Sequence, residues 1–139
     1  MRQQSTTLVI ETSGQGLFEI TSRIIDWAKG CGIQEGMLTL FCQHTSASLL
    51  IQENAAPEVR ADLQAWFERA VPEDPDLYLH DDEGLDDMPA HIRSALTSVQ
   101  LSIPVLGGRL ALGTWQGVYL FEHRRRAHSR SIVLHVIGE

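Results

Sequence analysis

The chain carries six histidines, His44, His80, His91, His123, His128 and His135. Imidazole is both a common metal ligand and the general base best matched to neutral pH. Three of them sit at element boundaries among polar neighbours. His44 follows Leu38, Leu40 and Cys42 at alternate positions, so it is expected on the same buried face. Thr45, Ser46 and Ser48 come next. Polar groups between two apolar strands cost stability unless they bind something or each other. The plainer alternative is a histidine satisfied by backbone carbonyls. In Asp86-Asp87-Met88-Pro89-Ala90-His91, Asp87 and His91 fall one turn apart on one face if the segment is helical. That pair can share a metal or act as an oriented base; equally, it can be an ordinary helix start. In Glu122-His123-Arg124, strand alternation puts His123 on one face and Glu122 and Arg124 on the other.

Other polar residues are less pointed. His80 precedes an acidic loop and either assists a site at its edge or is simply solvated. His135 alternates within an apolar strand and reads as structural or surface-exposed; His128 falls in a turn. Gly113-Thr114-Trp115-Gln116-Gly117 is a turn that displays a tryptophan and a glutamine. Arg124, Arg125, Arg126 and Arg130 form the one basic run of the chain. Arginine suits bidentate phosphate or carboxylate recognition, although Arg125 and Arg126 read equally well as a solvated turn. Cys31 and Cys42 make no CxxC pair, and Cys42 is expected to pack as a small hydrophobe. Glycine-rich nucleotide loops and the GxSxG elbow are absent.

The elements that must position these groups follow from periodicity and punctuation. Strands are expected over 4–11, 36–44, 47–52, 99–105, 109–114, 117–124 and 130–137. Helices are expected over 17–29, from a cap at Asn54 through Pro57 to Ala70, and from Asp86 or Asp87 to about Ser98. In the second helix Val59, Leu63, Trp66, Phe67 and Ala70 share a face. Gly107-Gly108 is a two-residue hairpin turn. The segment 73–87 is acidic and reads as a lid, a metal-facing loop or a solvated turn. The expected class is α+β, an antiparallel β-sandwich of about seven strands with three flanking helices, in a single domain over residues 1–139.

Composition narrows the function classes. Eleven Lys+Arg against eighteen Asp+Glu leave a formal charge of −7. Such a chain lacks the positive footprint of a general nucleic-acid binder. No apolar run approaches the ~18 residues of a membrane helix, and the N-terminus lacks the apolar stretch of a signal peptide. The cysteine pattern suggests no disulfide framework. A cytoplasmic location is the expectation.

The set His44-Thr45-Ser46-Ala47-Ser48, Glu53-Asn54, Gly84 through His91, Gly113 through Gly117 and Glu122-His123-Arg124 resembles the YjbQ-like family, described as secondary thiamine-phosphate synthase enzymes. The resemblance spans nearly the whole chain in order and rough spacing. It implies a β-sandwich assembled as a homotrimer, with a pocket near the subunit boundary and histidines able to bind a metal. It also implies an activity that joins a pyrimidine diphosphate to a thiazole phosphate and releases pyrophosphate, with a physiological role that is different or broader.

On that basis His44, His91 and His123 are the expected metal ligands or diphosphate contacts, with Asp87 as a ligand or as the orienter of His91. Arg124 is expected to hold phosphate. Ser46, Asn54 and Gln116 are expected to hydrogen-bond the substrate, and Glu53 to act as general base. Three imidazoles suit zinc or another transition metal, whereas a diphosphate substrate suits magnesium. That tension keeps two alternatives in play: a metal-dependent hydrolase of a small phosphorylated or acyl compound, and a non-catalytic trimeric metal- or anion-binding module.

Overall fold

A computed structural model describes residues 1–139. The chain runs β1 (Arg2–Thr12), β2 (Gly16–Glu19), α1 (Thr21–Cys31), β3 (Glu35–Cys42), β4 (Ala47–Glu53), α2 (Pro57–Ala70), a short 3-10 turn at Pro75–Leu77, α3 (Asp87–Leu96), β5 (Gln100–Leu106), β6 (Arg109–Leu110), β7 (Gln116–Glu122) and β8 (His128–Gly138). The strands form two antiparallel sheets, one ordered β1-β8-β3-β5-β6 and one ordered β2-β7-β4. The α+β sandwich with three helices is therefore as expected.

Alternation builds the core. Leu38 and Leu40 of β3, Ile132, Leu134 and Val136 of β8, and Ile103 and Val105 of β5 face inward from the larger sheet. Ala47 and Leu49 of β4 and Val118 and Leu120 of β7 meet them from the smaller one. The other face of β7 is also covered. Phe121 packs edge-on against Phe67 of α2, ring centroids 5.2 Å apart, which is why β7 is buried from Gly117 to Glu122. The helices make their main contacts with β2, β4, β6 and β7. No helix is long and apolar enough to cross a membrane.

Several local expectations are corrected. Residues 16–19 pair with β7 as a strand, so α1 begins only at Thr21; Leu17 fits either period, and strand pairing prevails. The strand expected over 109–114 is only two residues long. Asn54 does not cap α2. Instead the Glu53 carboxylate accepts the Ala56 N–H at 3.0 Å, and Pro57 opens the helix. On α2 only Phe67 is buried; Trp66 is 51% exposed and lies edge-on to Phe67. The Gly107-Gly108 turn stands, with φ of 56° and 74°, values that a side chain would strain at both positions.

Candidate metal centre

Asp86 and Asp87 stand at the start of α3, where the helix dipole favours carboxylates. Arg124, just beyond β7, clamps both. Its Nε donates to Asp86 Oδ2 at 3.0 Å, its Nη1 to Asp87 Oδ1 at 2.5 Å, and its Nη2 to the Glu83 carbonyl at 2.9 Å. The Arg125 N–H adds a bond to Asp86 Oδ2. Asp87 is thereby fixed in a buried position, its side chain 2% exposed. Its remaining oxygen, Oδ2, faces two imidazoles. His80, from the acidic segment, places Nε2 at 2.6 Å. His91, one turn along α3, places Nε2 at 3.2 Å. The two rings are 5.7 Å apart between centroids.

The contacts of His91 set its tautomer. Nδ1 lies 2.9 Å from the Thr45 carbonyl oxygen. A carbonyl only accepts, so Nδ1 carries the proton. A neutral His91 then turns a bare Nε2 lone pair toward the Asp87 carboxylate, two acceptors at 3.2 Å. Either a second proton or a cation between them resolves this conflict. An imidazole whose far N–H is anchored on a backbone carbonyl is the usual second shell of a metal-binding histidine.

The chemistry of the donor set fits a metal ion. One ligand atom each from His80, Asp87 and His91 lie within 4.8 Å of one another. Bonds of about 2.0–2.2 Å at a tetrahedral ion place ligand atoms roughly 3.3 Å apart. The His91–Asp87 separation of 3.2 Å already matches; His80, at 2.6 Å, needs to withdraw by about 0.7 Å to reach that spacing. Two imidazoles and one carboxylate suit zinc or another transition metal better than magnesium. The floor is buried Asp87 and the mouth is the half-exposed His80 and His91.

The electrostatics support charge at this spot. Burial pushes the Asp87 carboxyl up, but the hydrogen bond from His80 and the charges of His91 and Arg124 outweigh it and hold it below the ordinary value. Asp86 is likewise held down against burial by the Arg125 N–H and the Arg124 guanidinium. The His80 imidazole is raised, chiefly by its bond to Asp87.

The structure brings His91 together with Asp87, but not with His44 or His123. His44 Nε2 accepts the Ser131 N–H at 2.8 Å, so that nitrogen is occupied by backbone. Burial lowers its pKa, and Arg130 lowers it further. His123 is 1% exposed. Its Nε2 lies 2.9 Å from Ser48 Oγ, which in turn lies 2.6 Å from Thr97 Oγ1. Burial, then the charge of Arg93, lowers its pKa to about 3. Both expected ligands are thus neutral groups tied into the framework.

The expected substrate residues scatter in the same way. Arg124 spends its guanidinium on Asp86, Asp87 and Glu83, so it positions the acids and does not face an open phosphate site. Ser46 Oγ accepts from Arg130 at 3.0 Å. Glu53, Asn54 and Gln116 lie at the opposite end of the β4–β7 ladder, whose register runs from Ala47↔Glu122 to Glu53↔Gln116. Six steps at about 3.4 Å separate those ends by roughly 20 Å. Within one chain Glu53 therefore cannot serve as a base at the His91 cluster.

Sequence reasoning underrated two residues. His80 lies seven before Asp87, in irregular chain, and no periodicity marks it. Its signal was only its place beside the carboxylate run. Arg130 was read with the basic run, yet it is 4% exposed and ion-paired with Glu122. Its inward position on β8, in step with Ile132, Leu134 and Val136, was legible.

Comparison with known proteins places the chain in a family. The family model for UPF0047 protein YjbQ-like matches residues 6–139. A UPF0047 protein of Synechocystis is 54% identical over 138 residues, covering 99% of this chain and 94% of the relative. The YjbQ protein of Salmonella typhimurium is 44% identical, covering 96% of each. Among solved structures, a YjbQ/UPF0047 family protein of Clostridium acetobutylicum superposes with a TM-score of 0.87 at 30% identity, covering 95% of this chain and 99% of that one. A YbjQ-like protein of unknown function from Sulfolobus solfataricus shares the fold, with a TM-score of 0.88 at 21% identity. The chain belongs to the YjbQ-like UPF0047 family.

Proposed function

We propose that the protein is a cytoplasmic, metal-dependent hydrolase of a small phosphorylated compound, with His80, Asp87 and His91 holding a divalent transition metal. The observation that carries this reading is the convergence of one ligand atom each from His80, Asp87 and His91 within 4.8 Å, with the far nitrogen of His91 anchored on the Thr45 carbonyl. A metal there would polarise a phosphoryl oxygen and lower the pKa of water. The residues do the rest. Arg124 keeps Asp87 ionised and in place, the Thr45 carbonyl fixes the His91 ring, and exposed Leu79 and Leu85 flank the mouth with apolar surface. Free thiols at Cys31 and Cys42 suit a reducing compartment.

Assembly as a homotrimer is part of the proposal. The outer face of the larger sheet has no helix over it and exposes Val9, Met37, Phe41 and Ile137, an apolar surface that a second copy would cover.

The discriminating assay incubates zinc- or manganese-loaded protein with phosphomonoesters and, separately, with the pyrimidine diphosphate and thiazole phosphate pair. Release of inorganic phosphate, abolished by chelation and by Asp87→Asn, supports hydrolysis. Pyrophosphate with a joined heterocycle would instead favour the synthase activity that the resemblance implies. Tight metal binding with turnover of neither would leave a binding module.

A further inference from the structure

We infer that a second pocket, remote from the His80–Asp87–His91 cluster, binds a phosphomonoester with a flat apolar body. The cavity has a volume of about 440 Å³ and lies between α1, the β5–β6 hairpin and the loop before β7. That volume is within the range of small-molecule sites, ~300–1,000 Å³. Its floor is Ile25, Val105, Leu110 and Leu112.

The polar lining combines two cations with amide and hydroxyl groups that can donate. Lys29 and Arg109 are the charged residues that line it, and no carboxylate does, although acids outnumber bases eighteen to eleven in the chain. Neither cation has an ion-pair partner within the chain. The Asn54 amide and Thr114 hydroxyl are also without side-chain partners. Gln116 uses Oε1 to accept the Gly113 N–H at 2.8 Å, which leaves its amide N–H groups free to donate. Two unpaired cations and three neutral donor groups over an apolar floor fit a dianion attached to an apolar ring. Two cations attract a dianion more strongly than a monoanion. Charge-assisted bonds from a guanidinium are the stronger kind, while the exposure of Lys29 and Arg109 makes the attraction salt-sensitive.

The pocket stands on its own residues and does not depend on the metal reading. Asn54 and Gln116, expected to hydrogen-bond a substrate, both line this pocket.

The test is calorimetric titration of the protein with phenyl phosphate, with benzoate, phenol and inorganic phosphate as comparisons. Phenyl phosphate is expected to bind, benzoate and inorganic phosphate more weakly, and phenol not at all. Lys29→Met and Arg109→Met are each expected to weaken phenyl phosphate at least tenfold, and raised salt to weaken it in the wild type. Asp87→Asn, which removes any phenyl phosphate held at the metal cluster, is expected to retain the binding that depends on Lys29 and Arg109. Both cations are exposed, so the Met variants should keep wild-type melting temperatures. Three results would overturn the inference: no phenyl phosphate binding by the wild type, undiminished binding by both Met variants, or loss of binding in Asp87→Asn. The last would move the anion to the metal cluster. Metal content, measured separately on the same variants, reports on the other reading alone.

Discussion

Glu122 and Asp87 are two buried carboxylates, 0% and 2% exposed, each gripped by an arginine and each held below its ordinary pKa. They differ in what remains unfinished. Glu122 accepts from Thr12 Oγ1 at 2.7 Å, from Arg130 through Nε and Nη2, and from the Arg124 N–H at 3.1 Å. Every donor in that set comes from the framework and nothing opens to solvent. Asp87 commits one oxygen to Arg124 and turns the other to two half-exposed imidazoles. A buried ion pair alone therefore says little about function. A buried carboxylate oxygen shared by two imidazoles at a solvent-open mouth says more.

The contrast can be broken at the closed end first. Arg130→Met leaves Glu122 buried and short of its cation, and removal of one partner of a buried pair costs about 3–5 kcal/mol. Chemical denaturation should register that loss, while metal affinity stays at the wild-type value. At the open end, Arg124→Met frees Asp87 from its clamp. Loss of such an outer partner lowers metal affinity about 10–100-fold, measurable by competition with a chelating dye. Equal effects of the two substitutions on metal affinity would erase the distinction.

The pH dependence sharpens it. Burial raises the Glu122 carboxyl, but Arg130, Thr12 and the Arg124 N–H outweigh it, so its folded pKa lies below the ordinary 4.5. Its contribution is complete above that unfolded value and is lost as pH falls through the depressed one. As pH falls below that unfolded value the wild type should lose more stability than Glu122→Gln, so the gap between their denaturation midpoints should narrow. The smallest effect is expected inside the framework. Ser48→Ala removes the partner of His123 Nε2 and should cost about 1–3 kcal/mol, with metal content unaltered.

Much of the fold was legible because its signals are local. Alternation in β3 and β8, the Gly107-Gly108 turn and the Pro57 helix start each act within a few residues. β2 was misread because Leu17 and Phe18 gain their partners from β7, about a hundred residues away in the chain. The site divided along the same line. Asp87 and His91 were found because helical spacing links them. His80 comes from irregular chain that only the tertiary fold brings back to Asp87. His44 and His123 looked like ligands because polar residues surround them. Those neighbours turned out to be their hydrogen-bond partners: the Ser131 backbone for His44 and Ser48 for His123. Sequence alone does not say whether a polar neighbour completes a histidine or shares a ligand with it.

The central claim is the location of the metal. It is tested most directly by elemental analysis of untagged protein beside His80→Ala and His44→Ala, each checked for folding by circular dichroism. The account expects about one transition metal per chain in the wild type and in His44→Ala, and almost none in His80→Ala. Metal retained in His80→Ala but lost in a folded His44→Ala would contradict it.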